Sequence, residues 1–287
     1  MELTREHEKK IKKILRKGKT STRPRAIRLF GAITGDSNPI HQKSIYAKEN
    51  GLPDVPVIGG HISAISLERA LEIQGMLGYG RPTAWYHNTK FKEPVFPGSK
   101  KLGPLEIEEI NGETVVKMYL HQRNIVRAIS ETRLGNISKK IERPENPDAG
   151  PIYAEVIPTL RGERAYQRLV RAQSRDSLSP GWLQALFPGT LMRVLDSAYQ
   201  GEREHAPTPL NLRMATHVEH PAKREPLRLE VYMKSKGQRG ATHFYDFYGE
   251  IKQGNERIGV AELMAGSRTP IDGAKIRAVQ TIPTITL

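Results

Sequence analysis

Two side chains able to move protons at neutral pH share one short stretch, Gly35-Asp36-Ser37-Asn38-Pro39-Ile40-His41. Asp36 offers a carboxylate and His41 an imidazole, the side chain whose charge changes closest to physiological pH. Downstream, Val57-Ile58-Gly59-Gly60-His61 places two glycines where a helix can begin. A helix N-terminus carries unpaired backbone N–H groups and partial positive charge, and so favours an ionised Asp36 and a neutral His41 nearby. Spacing alone leaves two readings open. Either the pair acts in general acid–base chemistry on a bound water, or Asp36 and Asn38 simply cap helices and His41 is a packed histidine.

The elements that must position these groups follow from local signals. Ser21 and Thr22 can cap a helix with Pro24 in its first turn, Ile27, Leu29, Phe30 and Ile33 give it one apolar side, and Gly35 ends it. Asn38-Pro39 reads as the cap and first residue of a second helix carrying Ile40, Ile45, Tyr46 and Ala47 and stopping at Asn50-Gly51. Asp36 then falls in a tight turn between two helices, with His41 in the first turn of the second. Ile62, Ile65, Leu67, Leu71 and Ile73 recur at three- and four-residue steps, which predicts a buried central helix from His61 to Leu77, ended by Gly78-Tyr79-Gly80. Strands follow at Trp85–Phe91, Leu105–Ile110, Thr114–Leu120 and Val126–Leu134, with a hairpin signal at Asn111-Gly112.

Thr34-Gly35-Asp36-Ser37-Asn38-Pro39-Ile40-His41, then Tyr46-Ala47, Gly51-Leu52-Pro53 and Val57-Ile58-Gly59-Gly60, resembles the signature of MaoC-like dehydratases and (R)-specific enoyl-CoA hydratases. The similarity runs from about Arg25 to Leu67 and more loosely to about Leu134. It implies a hot-dog fold, a long helix wrapped by an antiparallel sheet, with the Asp and His of the motif as the catalytic pair on an overhanging segment. On that resemblance Asp36 is expected to act as base on a water and His41 as the acid serving the α-carbon. The N–H of Gly60 would bind the thioester oxygen. Asn38, Gly59 and His61 are the expected substrate-binding neighbours, Asn38 also fixing the loop by hydrogen bonding. One departure stands out. The family has a histidine before its helix-opening glycine, whereas this chain has Gly59 there and a histidine, His61, after Gly60. His61 either approaches the substrate or caps the central helix, the cap being the simpler role.

At 287 residues the chain is long enough for two ordinary domains. Residues 1–20 read as a basic N-terminal extension, in which Lys9, Lys10, Lys12, Lys13, Arg16 and Lys17 surround Ile11, Ile14 and Leu15. It is expected to be a solvated helix packed lightly on the body. Residues 21–140 form the expected catalytic hot-dog unit, and a Pro-, Asn- and charge-rich linker spans Asn136 to Gly150. Residues 141–287 repeat the order of elements: Phe187-Pro188-Gly189 is expected to open a second central helix, and strands follow from Thr216. The fold class is therefore α+β, with two tandem hot-dog units forming a pseudo-dimer. The second copy lacks the chemistry. Where the first has Asp36 to His41, the second has Asp176-Ser177-Leu178-Ser179-Pro180-Gly181-Trp182, with no histidine after the proline. Trp182, Leu183, Leu186 and Phe187 belong either to the core or to the far wall of a thioester tunnel.

Composition narrows the class further. There are no cysteines, which excludes disulfides and thiolate chemistry and fits a reducing cytoplasm. No apolar run reaches the length of a membrane span. The formal net charge of +14 suits anionic partners such as coenzyme A or an acidic carrier protein. Nucleic acid is not expected as a partner, because aromatic residues for base stacking are only 6% of the chain. No zinc spacing, G-x-G-x-x-G or phosphate-loop motif is present, so no metal or redox cofactor is expected. The expected function is a hydro-lyase reversibly hydrating trans-2-enoyl thioesters of coenzyme A or acyl carrier protein to (R)-3-hydroxyacyl thioesters, as monomer or homodimer. The alternative is a hot-dog thioesterase or a non-catalytic acyl-thioester binder.

Overall fold

A helix that is apolar on nearly every side can exist in water only if other elements surround it. Two helices here have that character: α4 (Gly59–Met76) and α6 (Pro180–Ala198), each buried along almost its whole length. Small residues let them approach closely. A Cβ added to Gly60 would lie 3.7 Å from the Ala185 Cβ, and one added to Gly181 would lie 3.2 Å from the Ala64 Cα. Gly60 thus faces Ala185 while Gly181 faces Ala64, so the helices pass in opposite directions and the two positions correspond across a pseudo-twofold axis.

The computed structural model describes residues 4–17, 23–80, 83–98, 100–135, 137–172, 177–202 and 206–287. Ser21, Thr22, Asn136 and Asp176, which the sequence placed in a cap, a linker and a turn, lie outside them. Four strands wrap α4: β1 (Trp85–Phe91), β2 (Lys101–Ile110), β3 (Glu113–Gln122) and β4 (Ile125–Gly135). The second unit begins with β5 (Ala149–Ile157) and α5 (Leu160–Val170). After α6 come β6 (Leu210–Val218), β7 (Leu227–Arg239), β8 (Thr242–Gln253), β9 (Glu256–Ser267), α7 (Gly273–Ala278) and β10 (Ile285–Thr286). One ten-stranded sheet results, in the order β10-β5-β7-β8-β9-β6-β1-β4-β3-β2. The units meet where β1 pairs antiparallel with β6, from Trp85 opposite Val218 to Lys90 opposite Arg213. Two long helices, each clasped by its own antiparallel strands, make this an α+β double hot-dog.

The predicted strands lie where alternation put them, and Asn111-Gly112 turns the β2–β3 hairpin with φ of 52° and 77°. Arg123 and Asn124 make a similar left-handed turn (φ 53° and 63°) without glycine. The second central helix corrects the sequence reading. It begins at Pro180 and carries Pro188 inside it. Pro180-Gly181-Trp182 is therefore its first turn and not a counterpart of the Asp36 stretch. A proline in mid-helix normally signals an end; burial of the whole helix outweighs that signal. Trp182, Leu183, Leu186 and Phe187 are all core residues, and the Trp182 indole N–H donates to the Ile33 carbonyl at 2.6 Å.

Helix α1 (Arg5–Lys17) packs Ile11 and Ile14 against Ile73, next to Leu105 and Ile107, with its lysines outward. Across the units, Arg69 of α4 is fully buried and donates to the Val170 and Arg171 carbonyls at 2.9 and 2.8 Å, satisfying the end of α5. Among the described residues no helix is long and apolar enough to cross a membrane.

Candidate active site

Helix α2 (Pro24–Thr34) has Pro24 in its first turn and stops at Gly35, whose φ of 76° is the left-handed conformation that ends helices. The chain then doubles back. Asp36 Oδ1 accepts from the Asn38 N–H at 3.1 Å, and Asn38 Oδ1 accepts from the Ile40 N–H at 3.1 Å. What the sequence suggested as one helix is two pieces, a 3-10 turn over Pro39–His41 and α3 (Ser44–Glu49). The break lets the segment reach the stretch before β6, where the second unit holds it. Asn38 Nδ2 donates to the Pro209 carbonyl at 2.9 Å, and Asn50 Nδ2 donates to Thr208 Oγ1 at 2.7 Å.

Asp36, Asn38 and His41 are all buried, at 6%, 2% and 8% exposure. His41 Nδ1 lies 2.9 Å from the Pro56 carbonyl oxygen. A carbonyl can only accept, so Nδ1 carries a proton, and Nε2 is the nitrogen left to gain or lose one. The Val57 N–H, bonded to the Val95 carbonyl at 2.6 Å, fixes the strand that supplies Pro56. Burial raises the Asp36 pKa from the ordinary carboxylate value, opposed by the nearby His41 and by the Asn38 N–H. The site thus joins a carboxyl that holds its proton more tightly than a solvated one to an imidazole anchored through Nδ1.

Beside them opens a cavity of about 100 Å³. His41, Pro56, Val57 and Gly59 form one side; Phe91 to Val95 and Leu210 to Leu212 form the other. Gly59 and Gly60 are the first two residues of α4, and no backbone group accepts from either N–H among the described residues. The helix thus presents unpaired donors and the positive end of its dipole at the site.

Of the six residues singled out from sequence, His41 and Gly59 line this cavity. Asp36 lies close enough to His41 for the two charges to act on each other. Gly60 follows Gly59 in the same helical turn, its α-carbon facing Pro188 and Ala185 of α6. Two expectations need correction. Asn38 does not line the cavity; both ends of its amide hold the loop. His61 neither lines the cavity nor caps α4, which has no side-chain cap. Its ring stacks on Phe30 with centroids 4.3 Å apart, fully buried, and burial depresses its pKa to about 3. It serves as a neutral aromatic plate between α2 and α4.

Sequence reasoning missed the wall from the second unit, Leu210-Asn211-Leu212, and the pair Pro188-Gly189. A Cβ on Gly189 would sit 1.8 Å from the Thr34 carbonyl oxygen and 3.1 Å from the Asp36 nitrogen, so the turn bearing Asp36 rests directly on that glycine. No local signal connects these residues to the motif; only packing of α6 on α2 does. Among the described residues no group of three or more metal-ligating side chains clusters.

A buried carboxylate and imidazole therefore sit near a cavity and an open helix N-terminus on a double hot-dog scaffold. Residues 4–124 match the family model for the MaoC like domain. Among solved structures, the chain is similar to a MaoC-like dehydratase at 12% identity, covering 85% of this chain and 94% of that one, with a TM-score of 0.58. It is also similar to a MaoC domain protein from Chloroflexus aurantiacus J-10-fl at 10% identity, with 87% and 91% coverage and a TM-score of 0.56. An acyl-CoA thioesterase II, TesB2, from Mycobacterium marinum is a more distant neighbour, at 16% identity, 75% and 91% coverage and a TM-score of 0.45. A search of curated proteins found no match.

Proposed function

We propose that the protein is a hydro-lyase adding water reversibly to trans-2-enoyl thioesters to give (R)-3-hydroxyacyl thioesters. The observation that carries this reading is the hydrogen bond that fixes His41 Nδ1–H on the Pro56 carbonyl and leaves Nε2 as the ring nitrogen available for proton transfer, next to the buried Asp36. That arrangement favours exchanging the roles expected from the resemblance. His41 Nε2 takes a proton from water as its oxygen bonds to the β-carbon. The alkene electron pair moves towards the thioester oxygen, which the first-turn N–H groups of α4 stabilise. Asp36, as the acid, protonates the α-carbon, and the imidazolium then returns its proton to the Asp36 carboxylate. One water is added across one double bond, and the pair regains its starting protonation. No metal or redox group enters the scheme.

The cavity sets the expected acyl size. An apolar cavity of about 150 Å³ accommodates benzene, so the roughly 100 Å³ beside His41 suits an acyl chain of about four carbons. The test is loss of the conjugated enoyl absorbance of crotonyl-CoA on adding purified protein, followed by chiral analysis of the product. Rates should fall as the enoyl chain is lengthened. Release of free coenzyme A without hydration would replace this reading with the thioesterase one. Binding without either reaction would leave an acyl-thioester binder.

A further inference from the structure

Strand β6 breaks its own pattern where it reaches the site. In a regular strand successive side chains point to opposite faces, yet Leu210, Asn211 and Leu212 all line the same cavity. The cause is a shift in the β6–β9 register: Asn211 pairs with Ala265 and Arg213 with Met264, leaving Leu212 as an extra residue. Such bulges re-aim side chains, often next to functional sites. Here the bulge lies just past the last β1–β6 pair, Lys90 with Arg213, where β6 has no strand of the first unit beside it.

The bulge delivers an amide into an apolar pocket. Pro56, Val57, Phe91, Val95, Leu210 and Leu212 offer no side-chain hydrogen bond, the charged Lys92 and Glu93 of the lining are exposed, and His41 is its buried polar group beside the half-buried Asn211. Among the described residues, the one hydrogen-bond partner of the Asn211 side chain is the Met214 sulfur, 4.0 Å from Nδ2. That is a weak acceptor. The amide also lies against the start of α4, since a Cβ added to Gly59 would be 3.1 Å from Asn211 Nδ2. An acceptor oxygen held by the first-turn N–H groups of α4 therefore comes within reach of this amide.

Resting on the hydratase reading above, we propose that Asn211, contributed by the second unit, is the site's second carbonyl donor. Its Nδ2–H bonds the substrate thioester oxygen together with the α4 N-terminus. Charge developing on that oxygen in the transition state is shared between a main-chain donor of one unit and a side-chain donor of the other. The second unit thus completes the carbonyl-binding site of the first.

The test uses the full chain carrying Asn211→Leu and, separately, Asn211→Asp, with crotonyl-CoA. Removing one such donor lowers kcat by about 10²-fold. Asn211→Leu is expected to show that loss together with a raised KM and an unaltered pH profile. Asn211→Asp keeps the shape but replaces the donor with acceptor oxygens, so it is expected to be at least as impaired. A merely structural role would be restored by the isosteric Asp, and near-wild-type kcat in either variant overturns the proposal. If wild-type protein does not hydrate crotonyl-CoA, the hydratase reading fails by itself. Calorimetric binding of crotonyl-CoA to wild type and Asn211→Leu then decides the donor role. A tenfold or greater weakening supports it, and equal affinity overturns it.

Discussion

The two central helices start at corresponding places, and what meets their N-termini differs. At α4, Gly59 lines a cavity, and among the described residues no acceptor takes the N–H of Gly59 or Gly60. At α6, the Gly181 N–H donates to Glu68 at 3.0 Å, and Ser179 donates through both N–H and Oγ to Glu163, which also pairs with Arg224. Internal carboxylates thus occupy the anion site of the second unit, and a Cβ on Gly181 would collide with the Tyr166 hydroxyl at 2.2 Å. The connections differ as well. From α2 to α4 the chain takes residues 35–58, which carry Asp36, Asn38, His41 and Pro56. From α5 to α6 it takes only residues 171–179. One fold therefore occurs twice: once with its helix terminus left open, and once with it closed by the protein's own acids. The closed copy supplies a wall of the cavity and the glycine on which the Asp36 turn rests.

The strongest attack on this contrast removes the proton pair. General acid–base groups typically contribute about 10²–10⁴-fold to rate, so Asp36→Asn or His41→Gln is expected to lower crotonyl-CoA hydration by that much, measured at saturating substrate. Asp36→Asn should also be more stable than wild type at neutral pH. The sign follows from its raised pKa: the folded state binds the Asp36 proton more tightly than the unfolded chain, so the stability it contributes is present at low pH and lost as pH rises through the folded-state value. Denaturant titrations at acid and neutral pH would show whether the gain grows with pH.

Next comes the seat. Gly189→Ala places a methyl group 1.8 Å from the Thr34 carbonyl, which must move and take the Asp36 turn with it. Overpacking of this kind costs about 1–3 kcal/mol. Hydration should fall well beyond what that loss explains, with kcat affected more than KM. Wild-type turnover in this variant would separate the second unit from the chemistry.

A smaller effect is expected at the closed terminus. Glu68→Leu leaves the buried Gly181 N–H and Tyr166 hydroxyl without the carboxylate, and an unmade buried hydrogen bond costs about 1–3 kcal/mol. Chemical denaturation should show the loss, while hydration per folded molecule stays unchanged. A gain of activity would mean that α6 was a second site held shut.

The smallest effect concerns His61. Its pKa of about 3 means that the folded state refuses a proton the unfolded chain accepts near pH 6.5. Stability should therefore decline as pH falls from about 6.5 towards 3, and His87, depressed to about 3 by burial between Thr89 and Thr132, adds the same tendency. Replacing His61 with Phe, which keeps the stack on Phe30, is expected to reduce the slope by up to about 1.4 kcal/mol per pH unit. An unchanged slope would place the acid sensitivity elsewhere.

Much of this was legible in the chain. Apolar spacing from Ile62 to Ile73, alternation in the strands and the Asn111-Gly112 turn are local rules, and those elements formed as the rules require. The Asp36–His41 motif was equally legible, since its turn is built from Gly35, Asn38 and Pro39 acting on their immediate neighbours. Hidden from the sequence were the features that depend on distant packing. Pro188 looked like a boundary, yet full burial of α6 kept it inside the helix. His61 looked like a cap or ligand, yet the approach of Phe30 made it a stacked core residue. A linear chain states which residues can cap, turn, alternate or titrate. Tertiary structure alone decided that His41 is protonated on Nδ1 by facing Pro56, that Gly189 lies under Asp36, and that Asn211 reaches the mouth of α4, because each requires two remote segments to meet.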